Sequence, residues 1–325
     1  MTGRFLLGAV ALAFVALASA VSAQQPDRIP TVGVLMISAG PDDPLTMGRL
    51  RRGLREHGYV EGRNIRMEHR YARGRVEELP RLAEELVQLG VDVLVVGAGP
   101  SIRAAKQATS TIPIVMVVWD HDPMEAGLID SYNRPGGNLT GIFTRTSELA
   151  GKRLELLKEA MPSVSRVAVL LDSSSRGELD RLQPAARSLG VQLRPIEMRA
   201  PYDFGAAFKT ARREKVGAMM VMFSPVFYVE RARIASQALE SHLPTMYLTE
   251  AWVLAGGLIS YGPPVEEVWS RAGYFVDRLL KGAKPGELPV EQATNFRLVV
   301  NLKTAKALGI AIPQSILLRA DEVIR

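Results

Sequence analysis

The sequence predicts an α/β protein made of two doubly wound parallel-sheet lobes joined by a multi-stranded hinge. Three observations carry this. Its 325 residues exceed what one hydrophobic core ordinarily supports. Strand-like apolar runs alternate with segments of helical period, and that alternation runs through twice before the chain turns back.

The first strand is expected over 31–37 (TVGVLMI), an unbroken apolar run of the kind buried on both faces of a parallel sheet. A Pro-Asp-Asp-Pro turn follows. Leu45, Met47 or Gly48, Leu50 and Leu54 then keep helical spacing over 45–57, and Gly58 closes that helix. Next come strand 65–71, helix 76–89 ended by Gly90, strand 91–96, helix 101–109 and strand 112–119. A short helix near 123–131 and strand 139–143 complete the first half. The second half repeats the grammar: helix 148–160, strand 166–171, helix 178–189 ended by Gly190, strand 191–198, helix 204–214, strand 218–223 and helix 228–241. Strands 245–248 and 258–261 follow. The chain then returns through helix 265–280, a Lys-Gly-Ala-Lys-Pro-Gly turn, strand 296–301, helix 303–308 and a tail bounded by Pro313. A returning segment implies crossings near 142–147, 261–265 and 291–296, and several crossings make a hinge of fixed axis. The expected lobes are 24–143 plus about 265–292, and 144–264 plus about 293–325.

The first residues read as an address. Arg4, an uncharged stretch over 5–18 and Val21-Ser22-Ala23 form the three-part pattern of a secretory signal peptide, 1–23, cleaved after Ala23. The apolar stretch is short of the roughly 20 residues a membrane span needs. The absence of cysteine excludes disulfides, thiolate chemistry and a lipid-modified N-terminal cysteine. The expectation is a periplasmic protein, not lipid-anchored, working away from ATP and NAD(P)H and needing no cofactor. The net charge of +6, or +5 without Arg4, is scattered among acidic and apolar neighbours. It marks no nucleic-acid groove.

In open α/β sheets ligands bind beyond the carboxyl ends of the strands, which selects a few loops. Ser38 lies after the first strand. Gly97-Ala98-Gly99-Pro100-Ser101 follows the third; Gly99 allows close backbone approach, and Ser101 with the helix's first amides suits an anion. A plain helix cap would place the same residues. Trp119 ends the fourth strand as a stacking surface or as core, and Asp120 offers a partner for an ammonium group. Asp120, His121 and Asp122 make a poor metal set, because adjacent residues do not readily ligate one ion. On the other lobe Ser173, Ser224, Tyr228 and Glu250 occupy the corresponding ends, as cleft residues or as caps and rim, and Tyr261 ends the strand leading to the hinge. No Gly-x-Ser-x-Gly, Ser-x-x-Lys with Ser-Asp-Asn, or His-Glu-x-x-His pattern occurs, so a secreted hydrolase is the weaker alternative.

Several stretches also carry a family likeness: Arg134-Pro135-Gly136-Gly137-Asn138-Leu139-Thr140-Gly141, Gly256-Gly257-Leu258-Ile259-Ser260-Tyr261-Gly262, Asn301-Leu302-Lys303-Thr304-Ala305-Lys306-Ala307-Leu308-Gly309, and Leu318-Arg319-Ala320-Asp321-Glu322-Val323-Ile324. In their order and spacing over about 30–325, the chain resembles ABC-transporter substrate-binding proteins of the tryptophan/tyrosine-binder type. That resemblance implies a type I periplasmic-binding-protein fold, no catalysis, and a monomer that closes on a small molecule. It implies delivery to ABC permease and ATPase subunits, with an aromatic or other amino acid as the first expected ligand. Reporting to a membrane sensor is the alternative role.

Overall fold

Strand β1 (Thr31–Met36) is buried along its whole length, as an unbroken apolar run must be when helices cover both faces of its sheet. The computed structural model describes residues 28–37, 40, 43–119 and 122–325. The expected signal peptide, Ser38 and Asp120 lie outside them.

After β1 the first lobe continues through α1 (Met47–Glu56), β2 (Arg66–Tyr71), α2 (Leu79–Gln88), β3 (Val93–Gly97), α3 (Gly99–Ala108), β4 (Ile114–Val118) and β5 (Leu139–Phe143). Two later elements complete it, α10 (Val265–Leu280) and β11 (Glu291–Gln292). Its six strands run β11-β5-β4-β3-β1-β2, all paired in parallel. Strand alternation sorts side chains between two layers. Val32, Val34, Val93, Val95, Val115 and Val117 face α1 and α10. Leu35, Leu94, Val96, Ile114 and Met116 face α2 and α3. Helices α1 and α10 touch at backbone distance through Gly53 and Gly273, where a methyl on either would run into the other's main chain.

The second lobe holds α4 (Thr146–Ala160), β6 (Arg166–Leu171), α5 (Arg176–Ser188), β7 (Gln192–Glu197), α6 (Phe204–Arg213), β8 (Ala218–Val221), α7 (Pro225–Val229), α8 (Arg231–Glu240), β9 (Thr245–Tyr247), α9 (Glu250–Leu254) and β10 (Ile259–Gly262). It closes with β12 (Arg297–Asn301), α11 (Leu302–Ala307), α12 (Gln314–Leu317) and β13 (Glu322–Ile324). Its strand order is β13-β12-β10-β9-β8-β6-β7. Here the expectation of a parallel sheet needs correction: β10 and β12 are antiparallel. The path explains it. The chain leaves β10 at its cleft end for α10, returns from β11 at that same end, and so must run β12 the other way.

Three other expectations change. Residues 123–131 form turns, not a helix: Asp122 Oδ1 accepts from the Met124 and Glu125 amides, and Gly127 at φ 65° stops the turn from propagating. The helix expected over 228–241 is two, because Ser224 and Pro225 start α7 earlier and the chain breaks at Glu230. The short elements α9, α12, β11 and β13 carry no periodic signal and were not expected.

Candidate functional site

The carboxyl ends of β1, β3 and β4 face those of β8 and β9 across a cavity holding about 440 Å³ unfilled by protein atoms, little of it wide enough for water. The first lobe contributes Met36, Ile37, Thr46, Gly97, Ala98 and Trp119, with Val265 and Trp269 from α10. The second contributes Phe223, Pro225, Tyr228 and Thr249. The lobes are shut on each other: Phe223, Tyr228, Leu248 and Ala251 belong to the same apolar cluster as the core of the first lobe. Trp119 meets Phe223 across the boundary, ring centroids 6.2 Å apart and planes tilted by 32°. Tilted rings at that spacing make a lipophilic wall suited to a flat guest.

Among the described residues, the side-chain polar atoms on this wall are few and lack hydrogen-bond partners. Thr46 Oγ1, Tyr228 OH and Thr249 Oγ1 are all buried in that condition. Ser101, in the first turn of α3, is fully buried with its Oγ likewise unpartnered. Just before it Ala98 takes φ 71° and ψ 153°, a region ordinarily kept to glycine that costs about 1–3 kcal/mol. Other buried hydroxyls without partners, those of Thr144, Tyr247 and Ser260, lie away from this cavity's lining; those at the cavity are placed where a solute would supply the missing partner. Burial, and after it the carboxylate of Asp43, push the Tyr228 hydroxyl well above the ordinary phenol pKa, so it stays protonated and can donate.

A second, more open cavity, about 1000 Å³ of space unfilled by protein atoms and continuous with solvent, is lined by Gly40, Asp43, Pro44, Tyr71, Arg73, Val229 and Arg231. Tyr228 lines the inner cavity, and the guanidinium of Arg231, from the outer one, lies 4.4 Å from its ring centroid.

The expected site residues separate into groups. Trp119 and Tyr228 line the inner cavity, and Gly99 and Ser101 open the helix behind Gly97 and Ala98. Ser224 instead caps α7, accepting from the Val226 amide at 3.2 Å and donating to Asp172 Oδ2. Ser173 is exposed. Glu250 accepts the Val265 amide at 2.8 Å, tying α9 to the start of α10. Burial raises its pKa, while its own amide, that of Val265 and Arg297 pull the other way. Tyr261 packs toward Phe296 and borders a separate cavity with Leu298 and Arg319. Sequence reasoning did not single out Asp43, Thr46, Phe223 or Trp269. Only Phe223, at a strand's carboxyl end, carried a signal that would have found it.

Each crossing between lobes has a carboxylate beside it. Near β5–α4, Arg145 Nε lies 3.2 Å from Asp122 Oδ2, and Tyr132 donates to that oxygen at 2.6 Å. Burial works to raise the Asp122 pKa, but the Tyr132 hydroxyl, two amides and Arg145 outweigh it and hold the group low. Glu250 serves the β10–α10 crossing. At the third, Arg271 clasps Glu291 through both oxygens at 2.7 and 2.6 Å.

Two α/β lobes closing over a cavity, with three strands of chain between them, define a solute-binding protein. The ABC transporter substrate binding protein family matches residues 31–324, and this chain belongs to that family, whose members bind solutes and are not enzymes. It is 28% identical over 265 residues to the tyrosine-binding protein of Clostridioides difficile (strain R20291), covering 80% of this chain and 75% of that one. It is similar to the crystal structure of a conserved domain protein from Vibrio cholerae (TM-score 0.82, 28% identity, 91% of this chain and all of that one). A Streptococcus pneumonia ABC domain in complex with L-Trp matches equally well in shape (TM-score 0.82, 26% identity, 91% of this chain and all of that one).

Proposed function

We propose that this chain is the exported receptor of an ABC importer and that its solute is an aromatic amino acid. The observation that carries this is the cavity itself: Trp119, Phe223, Tyr228 and Trp269 around a slot whose few polar atoms lack partners. An aromatic ring stacks on such walls, and a carboxylate suits the first turn of α3 with the Ser101 hydroxyl. The names of two similar proteins, one binding tyrosine and one holding L-Trp, support the same reading. The lobes, 24–143 with 265–292 and 144–264 with 293–325, swing as bodies. A solute touching both walls populates the shut form, because only differential affinity shifts such an equilibrium. The shut form, a monomer, then meets the permease subunits of an importer whose ATPase subunits drive transport from the other side of the membrane. Residues 1–23 send the chain to the periplasm and are removed there.

Calorimetry with L-tryptophan, L-tyrosine and L-phenylalanine against L-leucine and L-glutamate tests the ligand class. Aromatic binding at micromolar Kd or tighter is expected, about −8 kcal/mol or better. Equal affinity for leucine would overturn the aromatic reading, and an unchanged radius of gyration on binding would overturn closure.

A further inference from the structure

We infer that Asp43 reads the solute's amino group, making this receptor selective for an ammonium-bearing ligand over the matching acid without one. The inference rests on the proposed amino-acid ligand and deepens it. Asp43 lies on the loop between β1 and α1, its side chain only 7% exposed. Oδ1 is occupied, accepting the Leu45 amide at 3.1 Å, with the Arg231 guanidinium 3.8 Å away. Oδ2 is buried with no hydrogen-bond partner, on a residue that lines the outer cavity. The Tyr228 hydroxyl, also unpartnered, feels the same carboxylate.

A buried carboxylate oxygen without a donor is costly unless something supplies one. Arg231 does not turn to it: its Nη1 donates to the Tyr228 carbonyl at 2.9 Å, its Nη2 approaches Oδ1, and the guanidinium lies over the Tyr228 ring. An ammonium group offers three donors, enough for both Asp43 Oδ2 and Tyr228 OH. Asp43 is on the first lobe, and Tyr228 and Arg231 are on the second. The ammonium would therefore join both lobes, and selectivity would be expressed as the lobes shut. A deaminated acid would leave the carboxylate unmet and lose affinity for that reason.

Titration calorimetry on the purified protein uses L-tryptophan, L-tyrosine, the propionic acids bearing the same two rings, and L-leucine and L-glutamate as non-aromatic amino acids. Wild type should prefer each amino acid by about 100-fold, the size expected when a buried charge loses its partner. Asp43→Asn keeps an oxygen for the Leu45 amide and removes the charge. It should weaken the amino acids about 30-fold or more while leaving the propionic acids within about threefold, so the preference collapses. Arg231→Gln removes the cross-cleft ion pair but not the carboxylate, and should retain the preference. Wild type binding acid and amino acid alike, or Asp43→Asn weakening both by one factor, overturns the inference and leaves the aromatic reading standing. If wild type takes only non-aromatic amino acids and Asp43→Asn abolishes that binding, the amine subsite stands and the aromatic reading falls.

Discussion

The two walls of the cleft differ in chemistry. The first lobe brings, besides the indoles of Trp119 and Trp269, an α-helix start, the strained Ala98, the hydroxyls of Thr46 and Ser101, and the carboxylate of Asp43. The second brings chiefly ring and apolar surface, Phe223, Pro225 and Tyr228, with the hydroxyls of Tyr228 and Thr249. The difference teaches an order of events. On the proposed mechanism the first wall, with its charge, helix start and two indoles, holds the solute while the jaws are apart. The second wall then adds affinity only when it is brought over, since covering both faces of a ring needs both sides.

That contrast can be broken at four points. Trp119→Ala should cost most, about 2–3 kcal/mol in L-tryptophan binding or on the order of 100-fold in Kd, read by calorimetry with Trp119→Phe recovering part. Phe223→Ala, on the closing wall, should cost about 1.5 kcal/mol, roughly tenfold, and stopped-flow measurement should place the loss in the dissociation rate. Ser101→Ala should weaken binding about fivefold, close to 1 kcal/mol. It should leave the melting temperature of the free protein unchanged or higher, because it deletes a buried hydroxyl that has no partner.

The smallest effect is at the hinge. The Glu250 pKa is raised above its ordinary 4.5, so the folded chain holds that proton more tightly than the unfolded chain does. Stability is then favoured below the unfolded value and declines as pH rises from there through the folded one. Glu250→Gln keeps an acceptor for the Val265 amide and removes the charge. Its melting temperature should match wild type at pH 4 and exceed it modestly at pH 7; an equal difference at both would show that ionisation does not contribute.

Much of the architecture was legible in the residues. Strands 139–143 and 166–171 and helix 265–280 fall where expected, because apolar runs bounded by turn residues or a proline leave little latitude. The antiparallel β12 was not legible, since its direction follows from the route between lobes and not from its own side chains. At the site, the strand-end rule selected loops that include Trp119, Tyr228 and Gly97–Ser101. It did not say which members of a loop turn inward. Ser224 and Glu250 sit at the right strand ends, yet the backbone amides beside them claim their oxygens first. Trp269 reaches the cavity from a helix distant in sequence, and Asp43 from a turn whose aspartates look like ordinary turn residues.

The interleaving of α10 and β11 with the first sheet, and of β12 and β13 with the second, also bears on biosynthesis. Until residue 292 has been made, the earlier half lacks a flanking layer and an edge partner; until residue 324, the later half lacks its own border. The first lobe can take its final form only once residue 292 is made and the second only once residue 324 is, so each waits on a segment that follows a visit to the other lobe. A chain truncated before residue 265 should be far more sensitive to protease than the full-length protein.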